Sequence, residues 1–450
     1  MGRLAITYGG RRFVISVFDS FELGVTRARA ASAPKFRSIA VVGLGYVGLP
    51  TALALLESGT RVVGYDISES RLAAIKAHRV DLPDADQVQL TGCLETGRLS
   101  LTTEASALSG VEAVVVCVPT PVDEHLVPDL AALEAACSTA VAHCRPGQTI
   151  VLVSTTYVGC TRDLVVRPLE RRGLVVGRDV FVAFSPERID PGVRHIPRSA
   201  QRVVGGVTSL CTCRASEVLN ATAAGIYPVS SPEVAELTKL LENTFRAVNI
   251  ALANEFAVVA GLFDLDIIEV IRAAATKPYG FMPFYPGPGV GGHCIPCDPH
   301  YLLWQLKSRR VTPPVTDAAM AAIAARPQLV VTRAEQLLAA AGRSLSGSRI
   351  LIVGVAYKPA VADSRGSPAL EIIDELVRAG AQVAYTDVLV DRVCTAGGVL
   401  TTKPRPAEGD WDLVIVHTVH PSVDHSWLTQ APMVLDASYQ LEHLDHRHVV

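Results

Sequence analysis

The sequence of 450 residues lacks a strong excess of either charge, since 41 Lys and Arg stand against 44 Asp and Glu for a net charge of −3. Without a basic field, the composition does not indicate binding to nucleic acid or to a membrane surface. Charged residues also interrupt every long apolar run, so no stretch of the roughly 18–20 apolar residues needed to span a bilayer is predicted. We therefore expect neither a nucleic acid nor a membrane as partner.

Cysteines are present but lack the pattern of a disulfide framework. Ten of them are spread irregularly along the chain, whereas small secreted domains place them at dense, regular spacings. This usage predicts a reducing compartment, and hence a cytoplasmic protein. Apolar residues make up 49% of the chain, which is ample for the cores of two or three domains.

Residues 1–37 are rich in arginine and contain one short apolar run, at 13–18. This run is shorter than a typical secretory h-region, and no clear small-residue cleavage site follows it. We predict a disordered extension, or a start codon placed too far upstream, and assign the segment no function.

Residues 38–66 read as a strand, a turn, a helix and a second strand. The turn contains Gly43, Gly45 and Gly48 in the spacing G-x-G-x-x-G. In this setting the glycines are typical of a dinucleotide site, in which the helix N-terminus faces the pyrophosphate. Asp66 ends the second strand, where a carboxylate accepts hydrogen bonds from a ribose and repels a 2′-phosphate. The unit therefore predicts NAD rather than NADP as cofactor.

Three further predicted strands end in polar or proline-rich loops. These loops contain Thr120, then Ser154 with Thr155, and then Glu187 beside Arg188. Loops after the carboxyl ends of parallel strands form the ligand-binding edge of an open α/β sheet. Glu187 could instead form an ion pair with Arg188, but its place on the ligand side favours a functional role.

The longest helical pattern covers residues 232–263 and is preceded by capping residues. Lys239 and Asn243 lie one turn apart on a face different from the apolar stripe. Such a pair alone is usually solvated. A helical segment between two α/β halves often builds a dimer interface, so we predict a homodimer or a higher homo-oligomer.

A glycine-rich loop, YPGPGVGGHCIPCDPHY, occupies residues 285–301. Glycines let a backbone approach a ligand closely, and here they lead into Cys294, with Asp298 four residues further on. A thiolate is a strong nucleophile once a nearby charge or base lowers its pKa. The loop alone is equally compatible with a tight surface turn that holds a buried, inert cysteine.

From residue 349 the strand–helix–strand pattern returns, with further strands at 413–417 and 434–436. The glycine fingerprint is broken, and Lys358 stands near the expected phosphate turn, either to meet a phosphate as a point charge or as a solvated residue. We predict an α/β fold with two Rossmann-like parallel-sheet domains joined by a central all-helical domain. The predicted bounds are 1–37 for the extension, 38–230 for the NAD-binding domain, 231–330 for the central domain with the cysteine loop, and 345–450 for the C-terminal domain.

Seven motifs occur in order over residues 38–440: VVGLGYVGLP, VCVPTP, STT, FSPER, AELTKLLEN, GVGGHCIPCDP and VAYKP. In this order they resemble the UDP-glucose/GDP-mannose dehydrogenase family. Within that family, the segments ENTFRAVNIALANE (residues 242–255) and KPYGFMPFYPGPGVGGHCIP (residues 277–296) resemble the branch that oxidises UDP-N-acetylhexosamines, UDP-N-acetylglucosamine above all, at C6. The resemblance implies a four-electron oxidation with two NAD⁺ and one water. A thiohemiacetal and then a thioester on one cysteine would carry the sugar from alcohol to uronate.

The resemblance also implies a role for each matching residue. The implied catalytic residues are Cys294 as nucleophile, Lys239 and Asn243 as oxyanion stabilisers, Asp298 to orient water or Lys239, and Glu187 with Thr155 for thioester hydrolysis. NAD would be held by Gly43, Gly45, Tyr46, Val47, Gly48, Asp66, Arg71, Thr120, Ser154 and Arg365. The UDP-sugar would be held by Tyr285, Gly287, Gly289, Gly291 and Lys358, in a C-terminal domain that binds the nucleotide sugar.

One departure from the family pattern is Cys297, which creates the spacing Cys294-x-x-Cys297. Such spacing occurs in redox pairs and in halves of zinc sites. With no second CxxC and only His293 and His300 nearby, we predict no metal and keep a reversible disulfide that silences Cys294 as a hypothesis. The histidines near the C-terminus are predicted to be solvated: His417, His420, His425, His443, His446 and His448.

Other functions remain as alternatives. The same chemistry on UDP-glucose or UDP-N-acetylmannosamine is the alternative within the family. A two-electron β-hydroxyacid dehydrogenase would need neither Cys294 nor a second Rossmann-like half. An inactive nucleotide-sugar-binding paralogue would have no reason to retain the whole set of catalytic residues.

Overall fold

The structure is a computed structural model that describes residues 3–8, 11–16, 36–80, 82, 84–188, 200–292, 294–421, 423–444 and 447–450. The chain divides into two units, Met1–Pro34 and Lys35–Val450. In the first unit, β1 (Arg3–Tyr8) pairs antiparallel with β2 (Arg11–Ser16). Two short strands thus lie in the predicted N-terminal extension, and the rest of that prediction, up to residue 35, falls outside the described residues.

Eight strands form the first sheet of the larger unit. They are β3 (Ser38–Val42), β4 (Arg61–Tyr65), β5 (Leu99–Thr102), β6 (Ala113–Val116), β7 (Thr149–Leu152), β8 (Phe181–Phe184), β9 (Gln201–Gly206) and β10 (Gly225–Val229). Their order across the sheet is β10-β9-β8-β7-β6-β3-β4-β5. All neighbours pair parallel except β8 and β9, so the sheet is mixed near one edge, as large α/β sheets commonly are.

Helices cover both faces of this sheet. They are α1 (Gly48–Glu57), α2 (Glu69–Lys76), α3 (Asp84–Glu95), α4 (Ala131–His143), α5 (Arg167–Arg171) and α6 (Ser209–Leu219), with a π-helical turn at Arg162–Val166. Since alternate residues of a strand face opposite sides, Ile39 and Val41 pack in one core while Ala40 and Val42 pack in the other. Burial on both faces explains why these strands are continuously apolar.

Four helices build the central segment: α7 (Pro232–Leu262), α8 (Ile267–Ala275), α9 (Asp298–Lys307) and α10 (Pro314–Ala340). Ser231 caps α7 by accepting a hydrogen bond from the amide of Val234, and Pro232 occupies the first turn. The longest two helices, α7 and α10, pack against each other. The cysteine loop crosses between α8 and α9.

By length and mean hydropathy alone, α7 is apolar enough to cross a membrane, which corrects the expectation that no segment reaches this limit. One third of its most apolar stretch is buried inside the protein. The helix packs against the first sheet and against α9 and α10.

The second sheet has the order β12-β11-β15-β16-β17, and all its pairs are parallel. Its strands are β11 (Arg349–Val353), β12 (Gln382–Thr386), β15 (Leu413–Val416), β16 (Val434–Asp436) and β17 (Arg447–His448), accompanied by α11 (Pro368–Arg378) and by a hairpin of β13 (Arg392–Thr395) and β14 (Gly398–Thr401). The predicted fold class, two Rossmann-like sheets joined by a helical segment, is confirmed.

The prediction of solvated histidines is wrong for His417 and His420, which are each 5% exposed at the end of β15. His420 accepts a hydrogen bond from the amide of Ala360 (3.2 Å) and faces the carboxylate of Asp387 (3.2 Å). Burial lowers the pKa of His417 to about 4. They are buried because the loop after β15 packs onto the turn after β11. His425 and His448 are half-buried, His443 is exposed, and His446 lies outside the described residues.

Candidate active site

The predicted cofactor turn follows β3. Gly43 has φ of +84°, and its amide bonds the carbonyl of Tyr65 (2.9 Å). A Cβ on Gly48 would lie 1.7 Å from the Gly43 carbonyl oxygen, so α1 can begin this close to the turn only with glycine. A Cβ on Gly45 would meet no protein atom within 4 Å. The space in front of the helix N-terminus is therefore open, as a bound pyrophosphate requires.

Asp66 braces this turn from the end of β4. Its carboxylate accepts hydrogen bonds from the amides of Leu44 (2.8 Å) and Ser68 (2.9 Å). The Arg71 guanidinium donates to the Leu44 carbonyl (2.8 Å). Asp66 and Arg71 thus hold the glycine turn from below, and Val47 is the N-cap residue of α1.

Arg365 reaches this turn from the second sheet. Its guanidinium lies 5.6 Å from the centre of the Tyr46 ring, which is 52% exposed. Asp363 accepts paired hydrogen bonds from Arg365 and fixes its direction. The structure therefore brings the predicted cofactor residues of both halves together at one edge.

The loops after β6 and β7 complete that edge. The Ser154 hydroxyl donates to the carbonyl of Val118 (2.8 Å), and the Tyr301 hydroxyl donates to the carbonyl of Thr120 (3.1 Å). Thr120 and Ser154 therefore lie where an open α/β sheet binds its ligand. The open turn, its bracing carboxylate and these loops fit a dinucleotide.

The cysteine loop ends in the first turn of α9. Cys294 is exposed. Its backbone carbonyl accepts hydrogen bonds from the amides of Cys297 (3.2 Å) and Asp298 (2.8 Å). The positive end of the α9 dipole favours negative charge at this point. The alternative of a buried Cys294 is therefore wrong, whereas its role as nucleophile stays a prediction. His293 lies outside the described residues.

Asp298 follows Cys294 by four residues in the sequence and is only 3% exposed. Burial raises the pKa of Asp298 to about 6, although the nearby Lys239 ammonium and a hydrogen bond from the Asn243 amide oppose the rise. A carboxyl group whose pKa is this close to neutral can exchange a proton at physiological pH. The Lys239, Asn243 and Asp298 side chains predicted from sequence are thus brought together.

Glu187 is held by a partner that the sequence did not predict. Its carboxylate pairs with Arg202 on β9 (2.7 Å), and Arg202 is 4% exposed. Arg188 pairs instead with Glu242, so the alternative of a Glu187–Arg188 side-chain ion pair is wrong. The Lys239 ammonium donates to the Glu187 carbonyl (3.0 Å) and so joins this loop to α7.

The predicted substrate loop is held on two sides. Asn254 on α7 accepts a hydrogen bond from the Gly287 amide (2.9 Å), and the buried Arg326 on α10 donates to the Gly287 carbonyl (2.8 Å). On the other side, a Cβ on Gly289 would lie 2.8 Å from Pro368, and one on Gly291 would lie 2.9 Å from Tyr357. The glycines therefore allow the loop to pack directly against the C-terminal half.

Two more predicted substrate residues are Tyr285 and Lys358. Tyr285, at the start of the loop, is 50% exposed, and Lys358 follows Tyr357 in the chain. Of the predicted substrate residues, Gly289 and Gly291 thus lie where the cysteine loop meets the C-terminal half.

One face of α7 holds the loops of the site. On this face, Glu236 bonds the loop after β7 and Lys239 bonds the loop after β8. Asn243 and Asn254 bond the cysteine loop at two points, Asp298 and Gly287. The spacings of three, four and eleven residues between these α7 side chains keep them on one side of a helix. Glu236 and Asn254 were missed, although the helical spacing to Lys239 and Asn243 was a readable signal.

All ten cysteines belong to the described residues, and none of them forms a disulfide there. Burial raises the pKa of Cys297 to about 11. Within the part of the chain that the structure describes, no group of three or more His, Cys, Asp or Glu side chains is arranged to hold a metal ion.

Comparison with known proteins places this arrangement in context. Protein CapL of Staphylococcus aureus is 36% identical over 359 residues, covering 79% of this chain and 83% of CapL. The UDP-N-acetyl-D-glucosamine 6-dehydrogenase of Pseudomonas aeruginosa is 34% identical over 391 residues, covering 85% and 90%. The solved UDP-N-acetyl-D-mannosamine dehydrogenase of Pyrococcus horikoshii superposes with a TM-score of 0.82 at 30% identity, covering 89% of this chain and 95% of that one.

Three parts of one family match the chain in order: an NAD binding domain at residues 37–223, a central domain at 233–322 and a UDP binding domain at 351–443. Together with the open cofactor turn, these matches define an NAD-dependent dehydrogenase of nucleotide sugars. The chain belongs to the UDP-glucose/GDP-mannose dehydrogenase family.

Proposed function

We propose that this enzyme oxidises the C6 hydroxyl of a UDP-N-acetylhexosamine, UDP-N-acetylglucosamine in the first place, to the uronate. The reaction would supply precursors for a polysaccharide or glycoconjugate. The observation that carries the proposal is the cluster of the half-buried Lys239 and Asn243 with the buried Asp298, whose backbone amide bonds the carbonyl of the exposed Cys294 (2.8 Å). A nucleophilic thiol is needed for a four-electron oxidation that keeps its aldehyde bound, and a two-electron dehydrogenase has no use for it.

The first oxidation needs a base for the C6 hydroxyl proton. Asp298, with its pKa raised to about 6 by burial, is suited to orient a water that takes this proton or to set the position of the Lys239 ammonium. Bound NAD⁺ supplies the hydride acceptor for each of the two oxidations. Gly43, Gly45 and Asp66 are the residues proposed to hold it.

The thiolate of Cys294 then adds to the C6 aldehyde and forms a thiohemiacetal. Its oxyanion would be stabilised by the ammonium of Lys239 and the amide of Asn243, both of which are preorganised on α7. Loss of the second hydride converts the thiohemiacetal into a thioester on Cys294. The sugar thus stays attached between the two oxidations.

Hydrolysis of the thioester completes the reaction. Water adds to the thioester carbonyl, the C–S bond breaks, and the uronate leaves while Cys294 recovers its thiol. We assign activation of this water to Glu187, with Thr155 helping to hold it. The buried Arg202 supports Glu187 in a fixed direction for this role.

The choice of sugar is the finer part of the proposal. Among the relatives, the P. aeruginosa protein is named for UDP-N-acetyl-D-glucosamine and the P. horikoshii protein for UDP-N-acetyl-D-mannosamine. The segments at residues 242–255 and 277–296 resemble those of enzymes that oxidise UDP-N-acetylhexosamines, and this resemblance supports an N-acetylated substrate. UDP-glucose and UDP-N-acetylmannosamine are the alternatives within the family.

The test is NADH release by the purified enzyme with NAD⁺ and each of four UDP-sugars, offered separately. The four UDP-sugars are UDP-N-acetylglucosamine, UDP-N-acetylgalactosamine, UDP-N-acetylmannosamine and UDP-glucose. We expect two NADH per sugar and the highest kcat/KM for UDP-N-acetylglucosamine. Preference for UDP-glucose would overturn the specificity, and a single NADH per sugar would overturn the thioester route.

We also propose a homodimer that covers an exposed apolar stripe of α7. Leu241, Phe245, Leu252 and Phe256 lie on this stripe and are 47–65% exposed in the single chain. Contiguous apolar surface of this kind on a soluble domain usually marks an interface, and a two-fold axis would pair the stripe with itself. We further place the enzyme in the cytoplasm, a proposal supported by ten cysteines that form no disulfide in the described part of the chain.

Light scattering on the purified enzyme tests the dimer. We expect the mass of two chains for the parent protein and of one chain for Leu241→Asp combined with Phe256→Asp. Val399→Asp, on the exposed hairpin of β13 and β14, is the matched control and should stay dimeric. A parent enzyme with the mass of a single chain would refute the proposal.

A further inference from the structure

The loop that carries Thr155 is tied to α7 by a carboxylate to which the mechanism above gives no role. We call residues 154–161, between β7 and the π-helical turn, the Thr155 loop. Glu236 accepts hydrogen bonds from the amides of Gly159 (2.6 Å) and Thr161 (2.9 Å) and from the Thr161 hydroxyl (2.6 Å). Hydrogen bonds to an ionised acceptor are among the stronger ones in proteins.

Glu236 is 1% exposed, and burial raises its pKa. A carboxylate is costly to bury without partners, and all three of its donors here come from one loop. Gly159 has φ of +100°, so the loop makes its turn at the point where Glu236 holds it. The side chain therefore fixes a specific backbone conformation and not only the packing of α7.

The other side of the Thr155 loop is held by α9, the helix that begins after the cysteine loop. Gln305 bonds both the amide (3.1 Å) and the carbonyl (2.6 Å) of Val158. The rings of Tyr157 and Trp304 meet edge to face at 5.6 Å. The loop is thus clamped between α7 and the helix that carries Asp298.

Strand register places Thr155 and Glu187 at equivalent positions of two neighbouring loops. Leu152 on β7 pairs with Phe184 on β8, and both strands end there. Thr155 and Glu187 each lie three residues beyond this pair, on neighbouring loops of the ligand-binding edge. Glu236 and Lys239, one turn apart on α7, hold these two neighbouring loops.

We propose that Glu236 is a positioning residue for hydrolysis of the thioester, acting through the Thr155 loop. This inference rests on the proposed function. Without Glu236, the amides of Gly159 and Thr161 lose their acceptor, and Thr155 moves relative to Glu187. A displacement of about 1 Å in a reacting group can cost on the order of 10²-fold in rate.

The two oxidations depend on Cys294, on the α7–Asp298 cluster and on bound NAD. Glu236 bonds the far end of the Thr155 loop, at Gly159 and Thr161, whereas Ser154 at the near end keeps its own hydrogen bond to the Val118 carbonyl (2.8 Å). Slower hydrolysis alone leaves kcat/KM for the UDP-sugar unchanged, because that ratio covers only the steps up to thioester formation. Glu236→Ala is therefore expected to lower kcat and KM together by about 30- to 100-fold. Glu236→Gln keeps one acceptor oxygen but places an amide donor against a backbone donor, so a smaller loss of the same kind is expected.

The experiment combines steady-state kinetics with rapid quenching and mass spectrometry of the intact protein. In the Glu236 variants we expect a burst of two NADH per active site and an accumulating uronyl adduct on Cys294. A purely structural role would lower the amount of active enzyme without producing the adduct. Glu233→Gln is the matched control, since Glu233 lies one turn earlier and pairs with the Arg162 side chain at the surface; it should behave as the parent enzyme.

Several results would overturn the proposal. If kcat/KM falls as much as kcat and no uronyl adduct forms on Cys294, Glu236 acts in a step before thioester hydrolysis. If the Glu236 variants turn over at the parent rate, Glu236 does not position the Thr155 loop for catalysis. If the Ala variant does not fold, Glu236→Gln and Gln305→Ala, which loosens the same loop from α9, decide by the same readout. Failure of the proposed function is visible separately, as fewer than two NADH per sugar from the parent enzyme.

Discussion

The two Rossmann-like halves place an aspartate at the same strand end and use it differently. Asp66, after β4, is half-buried and braces a turn that is open above Gly45. Asp387, after β12, is 6% exposed and is enclosed by backbone amides and by His420. The two halves share a topology, yet Asp66 lies beside an open turn whereas Asp387 is enclosed by protein atoms.

The turn of the second half explains the difference. A Cβ on Gly354 would lie 2.0 Å from the carbonyl oxygen of Thr418, so the loop after β15 packs directly onto the turn after β11. The crevice between these two strands, where sheet order reverses, is filled by the chain itself. This crevice of the C-terminal half is therefore closed, and the proposed contact of Lys358 with the nucleotide sugar would be made outside it.

The largest effect is expected from replacing Cys294, the proposed nucleophile between the two halves. Cys294→Ser should lower uronate formation on the order of 10³-fold or more, because a hydroxyl does not form the thioester. NAD binding at the open half should stay unchanged, which fluorescence titration with NADH would check. Uronate production by this variant at the parent rate would refute a thioester on Cys294.

The next prediction concerns the buried carboxyl group of Asp298, whose pKa burial raises from 3.8 to about 6. Because the folded state disfavours the ionised form, this group costs stability progressively as pH rises from about 4 to 6, up to about 3 kcal/mol. Asp298→Asn removes that cost, so the variant should be more stable than the parent at about pH 7 and equal to it at about pH 4. Urea unfolding at both pH values measures the difference.

Activity gives the control for this second prediction. Asp298→Asn should lose most of its kcat, since an amide cannot exchange a proton, and stability and activity should move in opposite directions. A variant less stable than the parent at neutral pH would contradict the raised pKa.

The smallest expected effects compare the two aspartates directly. Asp66→Ala should raise KM for NAD⁺ about 10-fold, since the turn loses its brace and the ribose its acceptor. Asp387→Ala should leave that KM unchanged and lower the free energy of unfolding by about 1–3 kcal/mol, since its buried donors lose their acceptor. Kinetics with NAD⁺ and urea unfolding of both variants provide the measurements; a KM change in Asp387→Ala would erase the distinction between the halves.

Sequence reasoning succeeded where the relevant residues are neighbours in the chain. The turn from Gly43 to Gly48 and the loop from Gly287 to Asp298 carry their chemistry in a few consecutive letters. Both Rossmann-like sheets could also be predicted, since strands buried on two faces read as apolar runs.

The contacts that sequence reasoning missed join residues far apart in the chain. Arg202 meets Glu187 only because β8 and β9 pair antiparallel, which no local pattern indicates. Asp387 and His420 are 33 positions apart and meet through strand order. The burial of His417 and His420 was missed for the same reason, since a histidine-rich segment of a single sequence reads as solvated.

The loops of the site share a single helix, and this has a consequence for how such a chain can vary in evolution. Inserting one residue in α7 between Asn243 and Asn254 would turn the distal part by about 100° and advance it by about 1.5 Å. The side chains of Asn243 and Asn254, which bond Asp298 and Gly287, would then point in different directions, although neither residue had changed. Surface loops of this enzyme are free to gain or lose residues, whereas α7 must keep its length between the anchors and can diverge only by substitution.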